Sequence, residues 1–578
     1  MWGLAALAAA GALFFSAFRS YRRGRPQAAA VAIVAAGLVL RMYAGSDLFL
    51  HTWDERYHAL VAKHLAVHPL VPTLYDHPLL PYDYRDWRAN HVWLHKPPLA
   101  LWLMAASMRL LGVDEIAMRL PSLLLSALGI FLTWVIGAHL CGRRVGLLAA
   151  AFQATNGYLL QLPAGRVAVD HVDNALLFFV ELAIFLAVLQ ARSRRHWWTW
   201  LPAIGAATGL AVLSKWLPGL LPIPVWLAMA HAARLEESGS GELPHGGGGG
   251  PRRRPGWGRE IGGLAVIAAT CLVVALPWQL YIRQEFPLEA RWEAAYNLHH
   301  LRVPIEGLGG SPLYHLLNMP RFFGELIYLP VAWFLLELVR RLRPGRPEQA
   351  GSEAGRKPAR ALLPLAAWLL LPYLAFSFAA TKLGGYVMVA APALFIVEAS
   401  FWFRLWDRRP SRIGDPAARP RVRALSWRRA VAATLTWAVL ILLPLLPLRY
   451  TVERLKIRPG YDRNPSWARA LRELPARLGP GPVVLFHLDR PLEAMFYTPY
   501  TAYGGLPTPL EISRLTGAGY RVVVLDAAAV PPSLSGIPGV ELRPEAVPQS
   551  PLDDGTGFRL LRVDGSDSPL TGTTEPPP

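Results

Sequence analysis

Apolar runs of roughly membrane-spanning length recur along the first 450 residues. They fall at 2–18, 27–44, 119–140, 145–163, 171–190, 198–214, 217–232, 261–280, 322–339, 361–379, 386–403 and 430–448, and predict about twelve transmembrane helices. A further apolar segment, 97–112, opens on Pro97-Pro98 and carries Arg109. Its Leu99, Leu103, Ala106 and Leu110 recur at helical spacing. About 16 residues make a helix of ~24 Å, short of a ~30 Å hydrocarbon core. That segment is therefore expected to lie in the outer interface.

After residue 449 the pattern becomes that of a soluble domain. Val483-Val484-Leu485-Phe486 and Arg521-Val522-Val523-Val524-Leu525 read as strands between Gly/Pro turns, with helices near 466–477 and 509–517. The predicted architecture is an all-α polytopic membrane bundle over 1–449, with interfacial helices in its first outer loop. A small α/β domain follows over 450–563, then a polar Pro/Thr-rich tail, 564–578, with no core-forming pattern. Stretches 233–260, with its Gly246–Gly250 run, and 341–360 read as cytoplasmic loops.

Composition agrees: 53% of the 578 residues are apolar, 17% are charged, and mean hydropathy is +0.27. The net charge of +19 would suggest nucleic acid in a soluble domain. Here the basic residues cluster between apolar segments, at Arg19–Arg25, Arg143/Arg144, Arg192–Arg195, Arg252–Arg259, Arg340–Arg360 and Arg404–Arg429. That distribution marks cytoplasmic ends facing anionic headgroups rather than a nucleic-acid surface. The parity puts 45–118, 164–170, 214–217, 281–321, 380–385 and everything after 449 on the outer face. The two cysteines, Cys141 and Cys271, make neither a disulfide framework nor a metal site.

Charges gather on that outer face. Asp54 and Glu55 follow helix 27–44, flanked by Arg56 and Tyr57. They read equally as a headgroup-solvated pair or as a base beside a membrane-embedded substrate. Asp170 and Asp173 open helix 171–190, where capping is the competing explanation. Lys96, Lys215, Lys382 and Arg166 share the face and could bind a phosphate, although lysines at helix ends also snorkel. His51 and His58 near Asp54 are conceivable metal ligands. No His-Glu-x-x-His spacing is present, and an interfacial imidazole and aromatic belt accounts for the histidines better.

These pieces, in order over about residues 27–400, resemble the C-type glycosyltransferase superfamily. The likeness is to its branch of protein O-mannosyltransferases and lipid A 4-amino-4-deoxy-L-arabinose transferases. It is carried by Asp54-Glu55, by His95-Lys96-Pro97-Pro98-Leu99, and by Arg119-Leu120-Pro121-Ser122. Arg166 to Asp173, Gly209-Leu210-Ala211 with Ser214-Lys215, Pro277-Trp278, and Thr381-Lys382-Leu383 to Tyr386 complete it. Segment 2–18 stands ahead of the usual first family helix.

The resemblance implies transfer of a sugar from a polyprenyl-phosphate donor to a lipid, glycan or protein acceptor, with inversion. It implies a bacterial inner-membrane location with an outward-facing site and membrane lipids as partners. Asp54 would be the principal catalytic carboxylate, with Asp173 assisting and Asp170 as its rival; Glu55 stays in the catalytic set. Lys96, Arg166 and Lys382 would contact the donor phosphate, with Arg56, Tyr57, Tyr386 and Lys215 as further substrate contacts. One phosphate carries less charge than a pyrophosphate, so Lys and Arg can suffice and no cofactor is required; a divalent metal is the less favoured alternative. The rival reading is a transporter or flippase of lipid-linked sugars.

Overall fold

A computed structural model describes residues 2–193, 197–239, 257–342, 359–408, 423–525, 534 and 537–543. The Gly246–Gly250 run, most of stretches 233–260 and 341–360, parts of the basic clusters, and the 564–578 tail lie outside the described residues.

In chain order the membrane part comprises α1 (Trp2–Arg22), α2 (Pro26–Ala44), α3 (Asp54–Leu65), α4 (Leu99–Leu111), α5 (Glu115–Leu140) and α6 (Arg143–Thr155). Then come α7 (Gly157–Gln161), α8 (Asp170–Arg192), α9 (Trp200–Lys215), α10 (Pro222–Gly239), α11 (Gly258–Glu285) and α12 (Pro287–His299). The short α13 (Tyr314–Leu317) and α14 (Met319–Phe323) precede α15 (Tyr328–Leu342), α16 (Ala359–Phe378), α17 (Ala391–Arg408) and α18 (Arg423–Arg454).

All twelve apolar segments are thus helical. Eight spans among the described residues are long and apolar enough to cross a membrane: α1, α2, α5, α8, α11, Ala361–Phe378, Gly384–Arg408 and Ala430–Arg454. The shorter α6, α9, α10 and α15 pack among them. The chain is a multi-span membrane protein. The α8 and 384–408 spans are mostly enclosed, whereas α1 and the 430–454 span are peripheral. On the periphery Phe15, Val273 and Leu435 stay exposed, as expected where lipid replaces water.

The structure breaks segment 145–163, which the apolar pattern reads as continuous. Asn156 ends α6, and its Oδ1 caps α7 by accepting from Leu159 N at 3.1 Å. Its Nδ2 donates to Phe322 O at 2.7 Å, so the break ties the bundle to α14. Arg144 pairs with Asp407, bringing two basic clusters to one end of the bundle. At 13 residues α4 falls short of a bilayer. The Trp102 indole donates to Pro69 O at 2.7 Å, holding α4 against the loop after α3.

Beyond α18 lie α19 (Ser466–Leu478), β1 (Val483–Phe486), α20 (Pro491–Tyr497), β2 (Thr501–Ala502), α21 (Pro509–Gly517), β3 (Arg521–Val524) and β4 (Val540–Leu542). The strands are parallel in the order β2-β1-β3-β4. Successive residues face opposite sides of a strand. Val484, Phe486, Val522 and Val524 therefore pack toward Ile512 and Leu515 of α21. Val483, Leu485 and Val523 join Trp467 and Leu471 of α19 in a core shared with Leu60 and Leu65 of α3 and Leu101 and Met104 of α4. Burial on both faces is why the strands read as unbroken apolar runs. The Lys63 ammonium, near the end of α3, donates to the carbonyls of Met495, Phe496 and Thr498 at 2.6, 3.1 and 2.9 Å. The sheet domain is thereby fastened to the helix that carries Asp54.

Candidate active site

Helix α3 starts at Asp54, and its two first-turn carboxylates complement the helix dipole. They differ in everything else. Asp54 is on the wall of a cavity that also contains Lys96, Arg166, His95, Tyr386 and Glu306. Its Oδ2 lies 3.4 Å from Lys96 Nζ and accepts from Val169 N at 3.3 Å. Val169 holds a left-handed φ of 60°, an uncommon conformation for a β-branched residue. That strained turn directs its N–H at Asp54. Burial alone would raise the Asp54 pKa. Lys96, with His58, His95 and Lys215, outweighs it and holds the carboxyl well below the usual carboxylate range. Asp54 is an anion at any physiological pH.

Glu55 is sealed. Its oxygens accept from Arg119 Nε at 2.7 Å and Nη2 at 2.8 Å, and from His51 N at 2.8 Å. His51 Nδ1 and His171 Nε2 complete the shell at 2.6 and 3.3 Å. Glu55, Arg119 and His51 have no exposed side-chain surface. Gly165, at φ 73°, passes so close that a Cβ there would meet Glu55 Oε1 at 1.9 Å. Only glycine serves both that turn and that approach.

The second acidic pair divides similarly. Asp170 Oδ1 is 2.8 Å from His58 Nδ1, both fully buried. Asp173 pairs with Lys215, whose ammonium packs 4.7 Å from the centre of the Tyr386 ring. Tyr386 is on the cavity wall, so this pair stands one residue back from it. Gly385 lets that chain approach, since a Cβ there would crowd Tyr158 Oη at 2.8 Å and Asp173 Oδ2 at 3.3 Å.

The expected phosphate contacts separate too. Lys96 and Arg166 reach the wall, Arg166 also pairing with Asp47 at 2.8 Å. Lys382 does not: its ammonium donates to the carbonyls of Phe376, Ser377 and Ala379 at 3.0, 2.7 and 2.5 Å, capping α16. Arg56 turns toward Glu493 of the sheet domain, 3.8 Å away, and Tyr57 packs on Trp87 with ring centres 5.0 Å apart. Neither is on the cavity wall.

More of the wall comes from 296–314, which the apolar pattern leaves as plain loop. Tyr296, His300, Glu306 and Tyr314 contribute to it. Trp87, also on the wall, stacks on His95 at 4.3 Å, with 5° between the planes. Burial, then the Lys96 charge, lowers the His95 pKa, and burial pushes His300 down to about 4. His300 is therefore neutral at pH 7. The density of Tyr and His over 296–300 was the available sign. His51 and His58 are occupied by carboxylates, and among the described residues no three His, Cys, Asp or Glu side chains gather as a metal site.

Residues 95–245 match the family described as dolichyl-phosphate-mannose-protein mannosyltransferase. The chain is 28% identical over 315 residues to the undecaprenyl phosphate-alpha-4-amino-4-deoxy-L-arabinose arabinosyl transferase of Pseudomonas aeruginosa (strain LESB58). That match covers 52% of this chain and 49% of the relative. The enzyme of the same name from Pectobacterium carotovorum is 26% identical over 330 residues, 55% of this chain and 51% of its own. The chain thus spans about half the length of the curated relatives it matches. Among solved structures, ArnT from Cupriavidus metallidurans bound to undecaprenyl phosphate superimposes with a TM-score of 0.52 at 18% identity. It covers 82% of this chain and 85% of that one. The likeness shows the fold alone, the polytopic membrane architecture of that structure.

Proposed function

We propose that the chain is an integral-membrane glycosyltransferase moving a sugar from a polyprenyl-phosphate donor to a lipid, glycan or protein acceptor, at a site on the outer face of a bacterial inner membrane. One observation carries the reading: a carboxylate and an ammonium, Asp54 and Lys96, meet 3.4 Å apart on the wall of one cavity. Transfer with inversion needs both. The bond from the anomeric carbon to the phosphate oxygen breaks, and its electron pair leaves on that oxygen. The acceptor oxygen bonds the opposite face, and its proton passes to Asp54. Asp54 orients the acceptor hydroxyl through its charge, and takes its proton once Lys96 has turned to the phosphate and no longer holds the carboxyl pKa down. Lys96, supported by Arg166, stabilises charge on the departing phosphate. In contact here, the two groups part to flank the reacting carbon. Asp173 with Lys215 backs Tyr386, whose ring faces the cavity, and assists by position.

The arabinosyl transferase relatives and the ArnT likeness support a polyprenyl-phosphate donor. The test is Asp54→Asn in purified protein given labelled polyprenyl-phosphate sugar and a membrane extract as acceptor source. Transfer should disappear while the melting temperature holds. Near-normal transfer by that variant would overturn the assignment, and movement of the lipid-linked sugar across vesicles without a transferred product would favour a flippase.

A further inference from the structure

Helix α12 brings a buried carboxylate to a ring of the cavity that the transfer chemistry leaves unused. Glu293 Oε2 lies 3.4 Å from His95 Nδ1, and both side chains are buried. Tyr296, one turn along the same helix, is on the cavity wall with His95; Glu293 is not. The carboxylate therefore reaches the imidazole from outside the cavity. Its other oxygen, Oε1, is buried without a partner. Among the described residues His95 is thus the hydrogen-bond partner that the Glu293 carboxylate has. A carboxylate is costly to bury on a single hydrogen bond. Glu55, by contrast, has an arginine and two histidines around it.

The ring is fixed in its plane as well as at its edge. Trp87 stacks on it at 4.3 Å, with 5° between the planes, and Trp93 meets it edge-on at 5.7 Å. A carboxylate only accepts, so the neutral ring carries its proton on Nδ1 and leaves Nε2 as a bare lone pair. Burial, then the Lys96 charge, lowers the His95 pKa and so favours that neutral form. Among the described residues no hydrogen-bond partner meets Nε2. His58 makes the same kind of pair with Asp170, but its Nε2 is sealed in the interior and it is off the cavity wall. Of the two pairs, only His95 has its ring on that wall, next in sequence to Lys96.

A bare nitrogen lone pair repels phosphate oxygens and attracts an O–H. In the transfer reading Lys96 holds the departing phosphate and Asp54 the acceptor, so the sugar lies between them, beside His95. Resting on that reading, we propose that His95 Nε2 accepts a hydrogen bond from a hydroxyl of the sugar being transferred. Glu293 is then a positioning residue, which keeps the proton on Nδ1 and the lone pair toward the sugar.

Two measurements on the full chain in nanodiscs test this, with melting curves to confirm that the variants fold. The first is the ¹⁵N spectrum of histidine-labelled protein, in which loss of signals in His95→Phe identifies the ring. His95 should be protonated at Nδ1 and bare at Nε2, and Glu293→Leu should shift it toward the opposite tautomer. A packing role for Glu293 would not move that signature. Protonation at Nε2 in the wild type overturns the proposal, whatever the activity. The second is initial rates with a panel of labelled undecaprenyl-phosphate pentoses and hexoses. For the sugar transferred, His95→Phe keeps a flat ring against Trp87 but should raise KM for the donor about five- to tenfold, more than it lowers kcat. His95→Gln, which restores an acceptor, should recover most of that loss. Glu293→Leu should raise the same KM in the wild type and add nothing in the His95→Phe background. An unchanged donor KM in His95→Phe, equal effects of Glu293→Leu in both backgrounds, or a KM change confined to the acceptor overturns the proposal. Absence of transfer by the wild type across the panel would sink the transfer reading and this inference with it, whereas a reversed tautomer sinks this inference alone.

Discussion

Asp54 and Glu55 are neighbours on one turn of α3, yet they belong to two different regions of the molecule. Around Asp54 the protein offers one ammonium, one backbone N–H and an open cavity. Around Glu55 it offers an arginine, two histidines and a backbone N–H, with no opening. The first carboxylate retains lone pairs for something else; the second is fully used by the fold. A pair of adjacent acids can thus divide into a cavity-facing group and a tie rod, and exposure decides which is which.

Substitutions that keep shape and remove charge should separate the two. Asp54→Asn should cut transfer by about 10³-fold with an unchanged melting curve. Glu55→Gln should do the reverse. It leaves Arg119 charged, buried and partly unmatched, a loss of about 3–5 kcal/mol, so the protein is recovered in low yield while the molecules that do fold retain transfer. Loss of transfer in well-folded Glu55→Gln protein would break the comparison. Lys96→Met comes next: removing a charge-assisted contact to phosphate should lower kcat/KM for donor by about 10- to 100-fold, measured by initial rates over donor concentration.

The pH dependence should sharpen the contrast. Asp54 titrates below the usual carboxylate range, so it stays ionised and transfer per folded molecule should be flat from pH 8 to about 5.5. Stability should not be flat. His300, held at about 4 by burial, binds a proton more readily in the unfolded chain, whose histidines titrate near 6.5. The unfolded state gains protons first, and the melting temperature should fall as pH drops from about 6.5 toward 4. A transfer rate that halves near pH 6.5 would require a histidine in the chemistry and count against Asp54 acting alone.

Much of this was legible in the chain. The twelve apolar segments, the short helix of segment 97–112 and the strands at 483 and 521 follow from runs long enough to carry a period. The two-residue β2 and the half-buried β4 have no such length, and the seven-residue α20 opens at a Pro that also reads as a turn. At the site, the residue types were readable, and Asp54, Lys96, Arg166 and Tyr386 do line one cavity. Their division was not, because whether Glu55 or Asp54 faces the cavity depends on Arg119 and Gly165, 64 and 110 positions further along. The wall from Tyr296 to Tyr314 escaped for another reason: it is polar and aromatic without a repeating pattern, and its place is set by docking against the bundle.

The smallest predicted effect asks most of the family likeness. Resemblance assigns Lys382 to the donor phosphate beside Lys96, and by charge the two are interchangeable. By surroundings they are not. Lys96 is held by one carboxylate at a cavity wall, whereas the Lys382 ammonium is spread over three carbonyls at the end of α16. Moving it to a phosphate would break those bonds and strip the helix end of its cap. Burial also lowers its pKa. Lys382→Met should therefore cost about 1 kcal/mol of stability and leave KM for the donor within twofold, measured beside Lys96→Met in the same preparation. A tenfold rise in KM for Lys382→Met would mean that the lysine leaves its carbonyls when the donor arrives, and the sealed region would then extend no further than Glu55 and its arginine.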